Sequence, residues 1–260
     1  MGIDCYHVPQ YWDLAFDEDT ELEADFLEAA ARRYGIPLPL RLFEPGCGGG
    51  RLILELARRG HQVSGLDLSE PAVRFAQHRL QEASLSADVS VGDMRTQVTQ
   101  EPADIAYCLV NTFRHLLTEV DAVRHLQTVC DSLKPGGLYI IGMHLLPPDA
   151  DEEDSEEWSA EVGGVSVDMR LDVVTCSRET RLETLRFQMT VSDPDHSAQQ
   201  VFESDYVMRT YEADQMRTLL NQVPEFMLRD VYDFWYDIDE PLELSDELGD
   251  TVFVLQKRSS

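Results

Sequence analysis

A glycine-rich run between a predicted strand and a predicted helix is the segment of the sequence most suited to ligand chemistry. The run Glu44-Pro-Gly-Cys-Gly-Gly-Gly50 has the form acid-x-Gly-x-Gly-x-Gly. Glycine at such a turn allows positive φ and lets a ligand approach the backbone with no Cβ in the way. A nicotinamide-binding Gly-x-Gly-x-x-Gly motif needs glycine at position 51, where Arg51 stands. The run indicates a small-ligand site of another kind, and a turn without a ligand is the alternative.

Two further carboxylates follow at the ends of the next predicted strands. Asp67 ends the second strand, where a carboxylate can accept hydrogen bonds from both hydroxyls of a ribose. Gly92-Asp93-Met94 follows the third strand, where the Asp93 carboxylate can accept from an adenine amino group and Met94 can pack on the ring. A solvated loop acid and a simple Gly-Asp turn are the alternatives. The order of the three elements predicts a site for an adenosine-containing ligand.

Strands alternate with helices around these residues. Apolar runs predict strands near 41–43, 62–66, 87–91, 104–109 and 138–144. Helical stripes predict helices at 21–34, 51–59, from 70 and at 118–133, with Thr20 and Glu23 as a capping box for the first. Lys134-Pro-Gly-Gly137 reads as a helix stop. This alternation predicts βαβ units and a parallel sheet.

The pattern of apolar and charged residues changes after Pro147-Pro148. Residues 149–157 contain seven acids and predict an exposed linker. Strict apolar alternation at 165–173 and 185–191, with a weaker set at 202–208, predicts antiparallel strands with one solvated face. We therefore expect an inserted β subdomain at about 158–211. A helix near 216–220 and strands at 227–232 and 251–256 then resume the main sheet.

The charge balance excludes several classes of partner. The chain has 260 residues with 49 Asp and Glu against 21 Lys and Arg, a net charge of −28. Such a chain gains no affinity from neutralising phosphates, so nucleic acids and anionic membranes are poor partners. Neither a signal peptide nor a long apolar span is apparent, and the five scattered cysteines predict no disulfide framework and no metal site. We expect a cytoplasmic protein. The acids concentrate at 17–25, 149–157 and 237–247, and only two lysines accompany them, which suggests adaptation to high salt.

Taken together, these motifs resemble those of the class I S-adenosylmethionine-dependent methyltransferases, strongly over about 11–144 and loosely elsewhere. The resemblance implies an α/β, Rossmann-like fold: a seven-stranded, mostly parallel sheet with an antiparallel last strand, plus the inserted antiparallel β subdomain. It divides the chain into an N-terminal helical segment closing over the cofactor (1–40), the cofactor-binding core (41–148), the linker and insertion capping the substrate (149–211), and the completion of the sheet (212–260).

The resemblance also implies a cofactor site for S-adenosylmethionine, with S-adenosylhomocysteine as product. The glycine run matches the family motif that cradles the methionine part, Asp67 matches the ribose-binding acid, and Asp93-Met94 matches the adenine-binding pair. An N-terminal tyrosine is expected near the methionine end. The expected cofactor-binding residues are Tyr11, Glu44, Gly46, Gly48, Gly50, Asp67, Leu68, Asp93, Met94 and Asn111.

The reacting centre is expected at the end of the fourth strand. The stretch Leu109-Val-Asn-Thr-Phe-Arg-His-Leu116 is similar to that of small-molecule N-methyltransferases, including glycine N-methyltransferase-like proteins, and lacks the Asn/Asp-Pro-Pro-aromatic motif of nucleobase methylation. His115 is the candidate general base, because imidazole titrates near neutrality, with Tyr11 as a second catalytic candidate. A structural histidine, and a turn cap at Asn111, are the alternatives.

The sequence leaves the acceptor open. Arginines on the insertion suit a carboxylate, whereas its acids suit a cationic amine; the candidates for substrate contact are Arg170, Arg209 and Tyr211. We expect methyl transfer to a small molecule, with nitrogen favoured over oxygen as acceptor. No metal, nucleic acid or membrane is expected to take part, and a homodimer is left open. The competing functions are an NAD-linked oxidoreductase on a similar fold and a non-catalytic S-adenosylmethionine-binding protein.

Overall fold

A computed structural model describes residues 4–150, 155–194 and 198–259. Within them the chain forms eleven strands: β1 Arg41–Pro45, β2 Gln62–Asp67, β3 Asp88–Val91, β4 Ala103–Cys108, β5 Leu133–His144, β6 Ser155–Val162, β7 Val165–Ser177, β8 Leu182–Ser192, β9 Gln200–Arg209, β10 Phe226–Tyr232 and β11 Asp250–Lys257. The α-helices of these residues are α1 Pro9–Leu14, α2 Thr20–Arg33, α3 Arg51–Arg58, α4 Glu70–Glu82, α5 Glu119–Ser132 and α6 Ala213–Leu220. Short 3₁₀ turns lie at Cys5–His7, Asp17–Asp19 and Thr112–His115.

The main sheet has seven strands in the order β3-β2-β1-β4-β5-β11-β10. β1 to β5 are mutually parallel, and β11 runs antiparallel to both of its neighbours, β5 and β10. The predicted Rossmann-like sheet with an antiparallel last strand is therefore confirmed. Because the carboxyl ends of β1, β2, β4 and β5 share one edge, loop residues that follow these strands come together there.

Helices cover both faces of the main sheet, and side chains alternate between two cores. Leu42 belongs to the apolar cluster under α2, α3 and α4, whereas the next residue, Phe43, belongs to the cluster under α5 and α6. Ile140 and Ile141 divide in the same way. This double burial explains why these strands read as continuous apolar runs instead of alternating ones.

The second sheet is antiparallel, with the order β6-β7-β8-β9, and it lies between β5 and α6 in the chain. The predicted inserted β subdomain is thereby confirmed. The linker prediction for 149–157 is wrong at its end, because β6 begins at Ser155; residues 151–154 lie outside the described residues. Inward side chains of this sheet, among them Met169, Phe187 and Met189, pack against α1.

Two local predictions are corrected by side-chain contacts. Thr20 and Glu23 do not cap α2: the Arg51 guanidinium donates to Thr20 Oγ1 at 2.8 Å and to Glu23 Oε2 at 2.5 Å instead. Lys134-Pro-Gly-Gly137 is not only a helix stop. It forms the start of β5, where the register against β4 shifts between Ala103 and Ile105.

Candidate active site

The glycine-rich run follows β1 as a turn with three left-handed residues. Gly46, Gly48 and Gly50 have φ values of +78°, +52° and +76°, a region that side chains other than glycine rarely adopt. A Cβ on Gly46 would lie 2.5 Å from Thr112 Cγ2, so the turn packs tightly against the end of β4. At Gly48, by contrast, no atom lies within 4 Å of the Cβ position. The turn is therefore closely packed at Gly46 and leaves open space at Gly48.

Asp67 lies at the carboxyl end of β2, directly beside that turn. Its Oδ2 accepts from the Gly48 backbone N–H at 2.9 Å, and its Oδ1 accepts from the Ser69 N–H at 2.7 Å. Burial raises the pKa of the Asp67 carboxyl, and these two donors act in the opposite direction. Each oxygen keeps further acceptor capacity. Leu68, with 70% of its surface exposed, borders the carboxylate.

The loop after β3 carries the third predicted element. The Asp93 carboxylate is held by the Arg95 guanidinium, with Oδ2 2.7 Å from Nη2, and this partner lowers the pKa of Asp93. Met94 is half-buried, with its Sδ 3.9 Å from the Cβ position of Gly46. His125 on α5 lies 2.8 Å from the Met94 carbonyl through Nδ1 and 2.6 Å from the Tyr139 hydroxyl through Nε2. Sequence reasoning missed His125, which fixes this loop from below.

The end of β4 is strained and cross-linked to β5. Val110 and Asn111 both have positive φ, +53° and +62°. Such backbone is costly for residues other than glycine and is characteristic of functional sites. The Asn111 side-chain oxygen accepts from the His144 backbone N–H at 2.8 Å and from Arg114 Nη1 at 3.3 Å. Asn111 thus holds the ends of the two strands together.

Glu44 is placed below the turn. Its Oε2 accepts from the Tyr107 hydroxyl at 3.1 Å, and burial raises the pKa of its carboxyl well above the ordinary value. The positive charge of Arg51 opposes that rise. Burial by itself would lower the pKa of Arg51, but the ion pair with Glu23 outweighs it and raises that pKa. This position makes Glu44 a support for the turn; its predicted contact with the cofactor stays a prediction.

The N-terminal segment lies between the glycine turn and the β subdomain. The Asp13 carboxylate of α1 would be 2.5 Å from a Cβ on Gly49, and it pairs with Arg79 of α4 at 2.6 Å. Burial raises the pKa of Asp13 to about 6. Tyr11 is buried against Phe202 and its hydroxyl donates to Asp193 Oδ2 at 2.9 Å, so it faces the β subdomain. The aromatic residues that this segment presents to the cavity are instead Tyr6, Trp12 and Phe16.

His115 is engaged by the same segment. Its Nε2 lies 3.0 Å from the Tyr6 hydroxyl, and burial lowers the pKa of the imidazole to about 4. The ring is therefore neutral at physiological pH. His115 does not line the cavity between the N-terminal segment and the β subdomain, so its predicted role as a base rests on no contact with that cavity.

A cavity of about 890 Å³ opens between the main sheet, the N-terminal segment and the β subdomain. Aromatic side chains form one continuous wall, with ring centroids 5.3 Å apart for Trp12–Phe16, 5.7 Å for Phe16–Trp158 and 5.3 Å for Trp12–Phe187. Phe234 and Tyr236, stacked 6.1 Å apart, also line it. Its acidic side chains are Glu18, Asp19, Glu23, Glu156, Glu157, Glu183 and Asp250.

Among the described residues, Arg114 is the single Lys or Arg side chain lining this cavity. Its guanidinium forms a short, buried ion pair with Glu183 and donates to the Arg209 carbonyl at 3.0 Å. Because Glu183 neutralises it, Arg114 offers little net charge to an anionic ligand. The cavity is therefore apolar in its walls and negative in its charge.

The predicted substrate residues lie outside the cavity. Arg170 is exposed and pairs with Glu157 and Asp172. Arg209 is buried, donates to the Leu117 carbonyl at 2.9 Å and pairs with Glu119 at 3.3 Å. Tyr211 is fully buried, with the Arg209 guanidinium 5.7 Å from its ring centroid. Arg170 is on the solvated face, and Arg209 and Tyr211 join the subdomain to the core, so none of the three predicted residues lines this cavity.

A pair that the sequence did not single out does line the cavity. His144 ends β5 and Asp250 begins β11, and the two are register partners across the antiparallel strands. The His144 Nδ1 lies 2.8 Å from Asp250 Oδ1. No local pattern could have indicated this pair, because its members come from separate parts of the chain.

The predicted cofactor residues fit an adenosine-containing ligand. The open space at Gly48 adjoins the Asp67 carboxylate, and the exposed Leu68 and half-buried Met94 offer apolar contacts near it.

Within the described residues no group of three or more His, Cys, Asp or Glu is arranged to hold a metal ion. None of the helices in that part of the chain is long and apolar enough to cross a membrane.

Part of the chain is similar in sequence to known methyltransferases. Residues 43–137 match the family model described as a methyltransferase domain. A ubiquinone biosynthesis O-methyltransferase of Methylobacterium nodulans is 34% identical over 106 residues, which cover 40% of this chain and 41% of that protein. One of Azoarcus sp. is 29% identical over 136 residues, covering 49% and 54%. The chain thus matches about half of the length of these curated relatives, or less.

Solved structures match almost the whole chain. Streptomyces venezuelae DesVI has a TM-score of 0.75 at 18% identity, covering 97% of this chain and 99% of its own. An S-adenosylmethionine-dependent methyltransferase from Clostridium acetobutylicum ATCC 824 has a TM-score of 0.72 at 14% identity, covering 95% and 92%. At these identities the likeness establishes the fold, including its β subdomain.

Proposed function

Because this chain contains a class I S-adenosylmethionine-dependent methyltransferase domain, with S-adenosylmethionine as its cofactor, we propose that the protein transfers a methyl group to a small-molecule amine. The observation that carries the proposal is the aromatic and acidic cavity that opens where the N-terminal segment meets the ends of β4 and β5. When bound, the cofactor supplies an electrophilic methyl group on a sulfonium, and the protein contributes alignment and a water-poor environment.

The residues proposed to hold the cofactor are those of the three motifs. Gly48 provides a backbone surface free of side-chain atoms, and Asp67 offers its remaining lone pairs to the ribose hydroxyls. Met94 and Leu68 provide apolar contacts for the adenine. Asp93 accepts from the adenine amino group with the lone pairs that Arg95 leaves available. Carboxylates at the turn also suit a ligand that carries positive charge.

The lining of the cavity supports nitrogen as acceptor. A cation gains about 0.5–2 kcal/mol at the face of an aromatic ring, and the Trp12–Phe16–Trp158 wall presents several such rings. The carboxylates that line the cavity attract a protonated amine and repel carboxylate- or phosphate-bearing acceptors. Among similar solved structures are one described as an amino pentose methyltransferase and one as a sugar N-methyltransferase, whereas sequence relatives include O-methyltransferases.

Closure by the N-terminal segment and the β subdomain is proposed to exclude water from the reacting groups. The Trp158 indole N–H donates to the Ala15 carbonyl at 3.0 Å, which joins the two covering elements over the cavity. We assign the role of base neither to His115, whose Nε2 is occupied by Tyr6, nor to Tyr11, whose hydroxyl is bonded to Asp193.

The test is transfer of a labelled methyl group from S-adenosylmethionine, measured by mass spectrometry, to a panel of arylalkylamines, their carboxylated analogues and phenols. We expect methylation of the arylalkylamines that carry no carboxylate, weaker methylation of their carboxylated analogues and no methylation of the phenols. Asp67→Asn should weaken S-adenosylhomocysteine binding about 10- to 100-fold in calorimetry, because it removes an ionised acceptor. The exposed Asp88→Asn variant is the matched control.

Three outcomes would contradict the proposal. Exclusive methylation of phenols or carboxylates would show that the acceptor atom is oxygen and not nitrogen. Binding of S-adenosylhomocysteine without methylation of any panel member would favour a non-catalytic binding protein. Binding of NAD without binding of S-adenosylhomocysteine would favour an oxidoreductase.

A further inference from the structure

The His144–Asp250 pair lies where an acceptor would meet the ends of the central strands. Both residues line the cavity, His144 at the carboxyl end of β5 and Asp250 at the start of β11. Their side chains are joined at 2.8 Å between Nδ1 and Oδ1, and His144 lowers the pKa of Asp250, which keeps that carboxylate ionised. A carboxylate bonded to Nδ1 selects the tautomer that leaves the Nε2 lone pair available.

Three contacts fix His144, one at its backbone and two at its imidazole ring. Asn111 fixes the His144 backbone by accepting its N–H at 2.8 Å. The Phe234 ring packs edge-on against the imidazole, with centroids 5.1 Å apart and planes at 77°. Asp250 provides the third contact. The structure gives Nε2 no protein hydrogen-bond partner within residues 4–150, 155–194 and 198–259, and 35% of the side chain is exposed.

We propose that His144 is the general base that takes a proton from the acceptor nitrogen and that Asp250 is its positioning residue, an assignment that rests on the proposed function. An ammonium has no free lone pair and cannot form a bond to carbon. As the N–H bond breaks, its electron pair stays on the acceptor nitrogen and the proton forms a bond to Nε2 of His144. The adjacent Asp250 carboxylate stabilises the resulting imidazolium, in the manner of a buried acid behind a catalytic histidine.

The other candidate bases in or near the cavity are either paired with another group or exposed to solvent. Glu183 is paired with Arg114, and Glu23 is paired with Arg51 at 2.5 Å. Glu18, Asp19 and Glu156 line the cavity but are exposed to solvent. His115 bonds Tyr6 through Nε2 and does not line the cavity. His144 alone among these groups combines a positioned ring with an available nitrogen.

The first test compares His144→Ala, Asp250→Asn and a control with wild type, using the amine that wild type methylates best. His144→Ala should lower kcat by about 10²- to 10⁴-fold while the Kd for S-adenosylhomocysteine changes less than twofold, and added imidazole should restore part of kcat. Asp250→Asn should lower kcat about tenfold with little change in KM. The control is His78→Ala, because His78 forms a similar pair with Glu82 at 3.3 Å on the exposed surface of α4.

The second test observes the ring directly. In ¹⁵N NMR of histidine-labelled protein, neutral His144 should carry its proton on Nδ1, and Asp250→Asn should increase the Nε2–H tautomer. A wild type that methylates no amine would overturn the proposed function. An active wild type with His144→Ala equally active would overturn only the base assignment, and an Nε2–H tautomer in wild type would overturn the proposed pairing whatever the activity.

Discussion

His125 connects the loop after β3 to the core through two hydrogen bonds. Its Nδ1 lies 2.8 Å from the carbonyl of Met94, and its Nε2 lies 2.6 Å from the Tyr139 hydroxyl. A neutral imidazole can serve both partners, one as donor and one as acceptor, whereas an imidazolium can only donate. The charge state of this single side chain therefore determines whether the loop after β3 stays anchored.

We predict that acid weakens the fold through His125. Burial lowers the pKa of His125 to about 4, below the ordinary value near 6.5. Between these values the unfolded chain binds more protons than the folded one, so the free energy of unfolding falls as pH decreases from 6.5 towards 4. By pH 5 the loss is about 2 kcal/mol, from a shift of about 1.36 kcal/mol per unit.

His125→Gln preserves one donor and one acceptor but does not titrate. Chemical denaturation from pH 7 to 5 should therefore show a smaller loss of unfolding free energy for this variant than for wild type. His78→Gln, on the exposed surface, is the control and should follow wild type. Equal pH dependence of all three proteins would show that His125 does not carry the effect.

At the residue scale, the sequence predicted the groups that lie in one contiguous motif. Asp67 and Gly48 are recognisable because one follows a strand and the other lies in a glycine turn, and a hydrogen bond of 2.9 Å brings the two motifs together. Tyr6, Trp12 and His144 were not predicted as site residues. Each reaches the cavity through contacts with distant parts of the chain, which periodicity does not encode.

Helix α1 is the element that connects the cofactor motifs to the β subdomain. Its Asp13 carboxylate rests on the Gly49 backbone and pairs with Arg79, while Tyr11 packs under the second sheet. A Cβ on Gly49 would lie 2.5 to 2.7 Å from the Asp13 carboxylate atoms. A side chain at position 49 would have to displace the Asp13 carboxylate, which its ion pair with Arg79 holds in place.

We therefore predict that Gly49→Ala displaces α1. The variant should bind S-adenosylhomocysteine about tenfold more weakly and expose the N-terminal segment to limited proteolysis, because one clash removes both the Gly49 contact and the Arg79 pair. Asp13→Ala should have the same effect, and the double variant should be no worse than either single one, since all three remove the same interaction.

Gly249→Ala is the matched control, because a Cβ there meets no atom within 4 Å. Calorimetry and the rate of proteolytic cleavage provide the two measurements. Additive effects of Gly49→Ala and Asp13→Ala would contradict the proposed contact.

Element prediction succeeded where burial imposes a period and failed where it does not. The parallel strands are buried on both faces, and β7 and β8 on one, so apolar runs or alternation mark them. The linker prediction extends wrongly into the first three residues of β6, because Ser155, Glu156 and Glu157 are exposed on an edge strand and carry no apolar signal. The capping box at Thr20 failed because Arg51, from another helix, binds both of its side chains.

The whole molecule combines a cavity with few cations and a surface with many acids. Its net charge is −28, so most carboxylates have no Lys or Arg with which to form an ion pair. Pairs such as Arg186–Asp205 at 2.7 Å are nevertheless common. Repulsion between the remaining acids destabilises the compact state. The Debye length falls from about 10 Å at 0.1 M salt to about 3 Å at 1 M, which screens that repulsion.

Screening should therefore stabilise this fold, although it also weakens the exposed ion pairs. Exposed pairs contribute only about 0–1 kcal/mol each, whereas repulsion acts among all unpaired acids, so the net effect should be favourable. We predict that Tm rises by several degrees between 0.05 M and 2 M KCl, measured by calorimetry, with most of the rise below 1 M, where the Debye length changes most. Potassium sulfate at equal ionic strength separates screening from strengthened apolar burial, which sulfate adds at high concentration. A Tm that is flat or falls in KCl would show that the acidic surface is not adapted to salt and that its repulsion is already relieved by the arginine pairs.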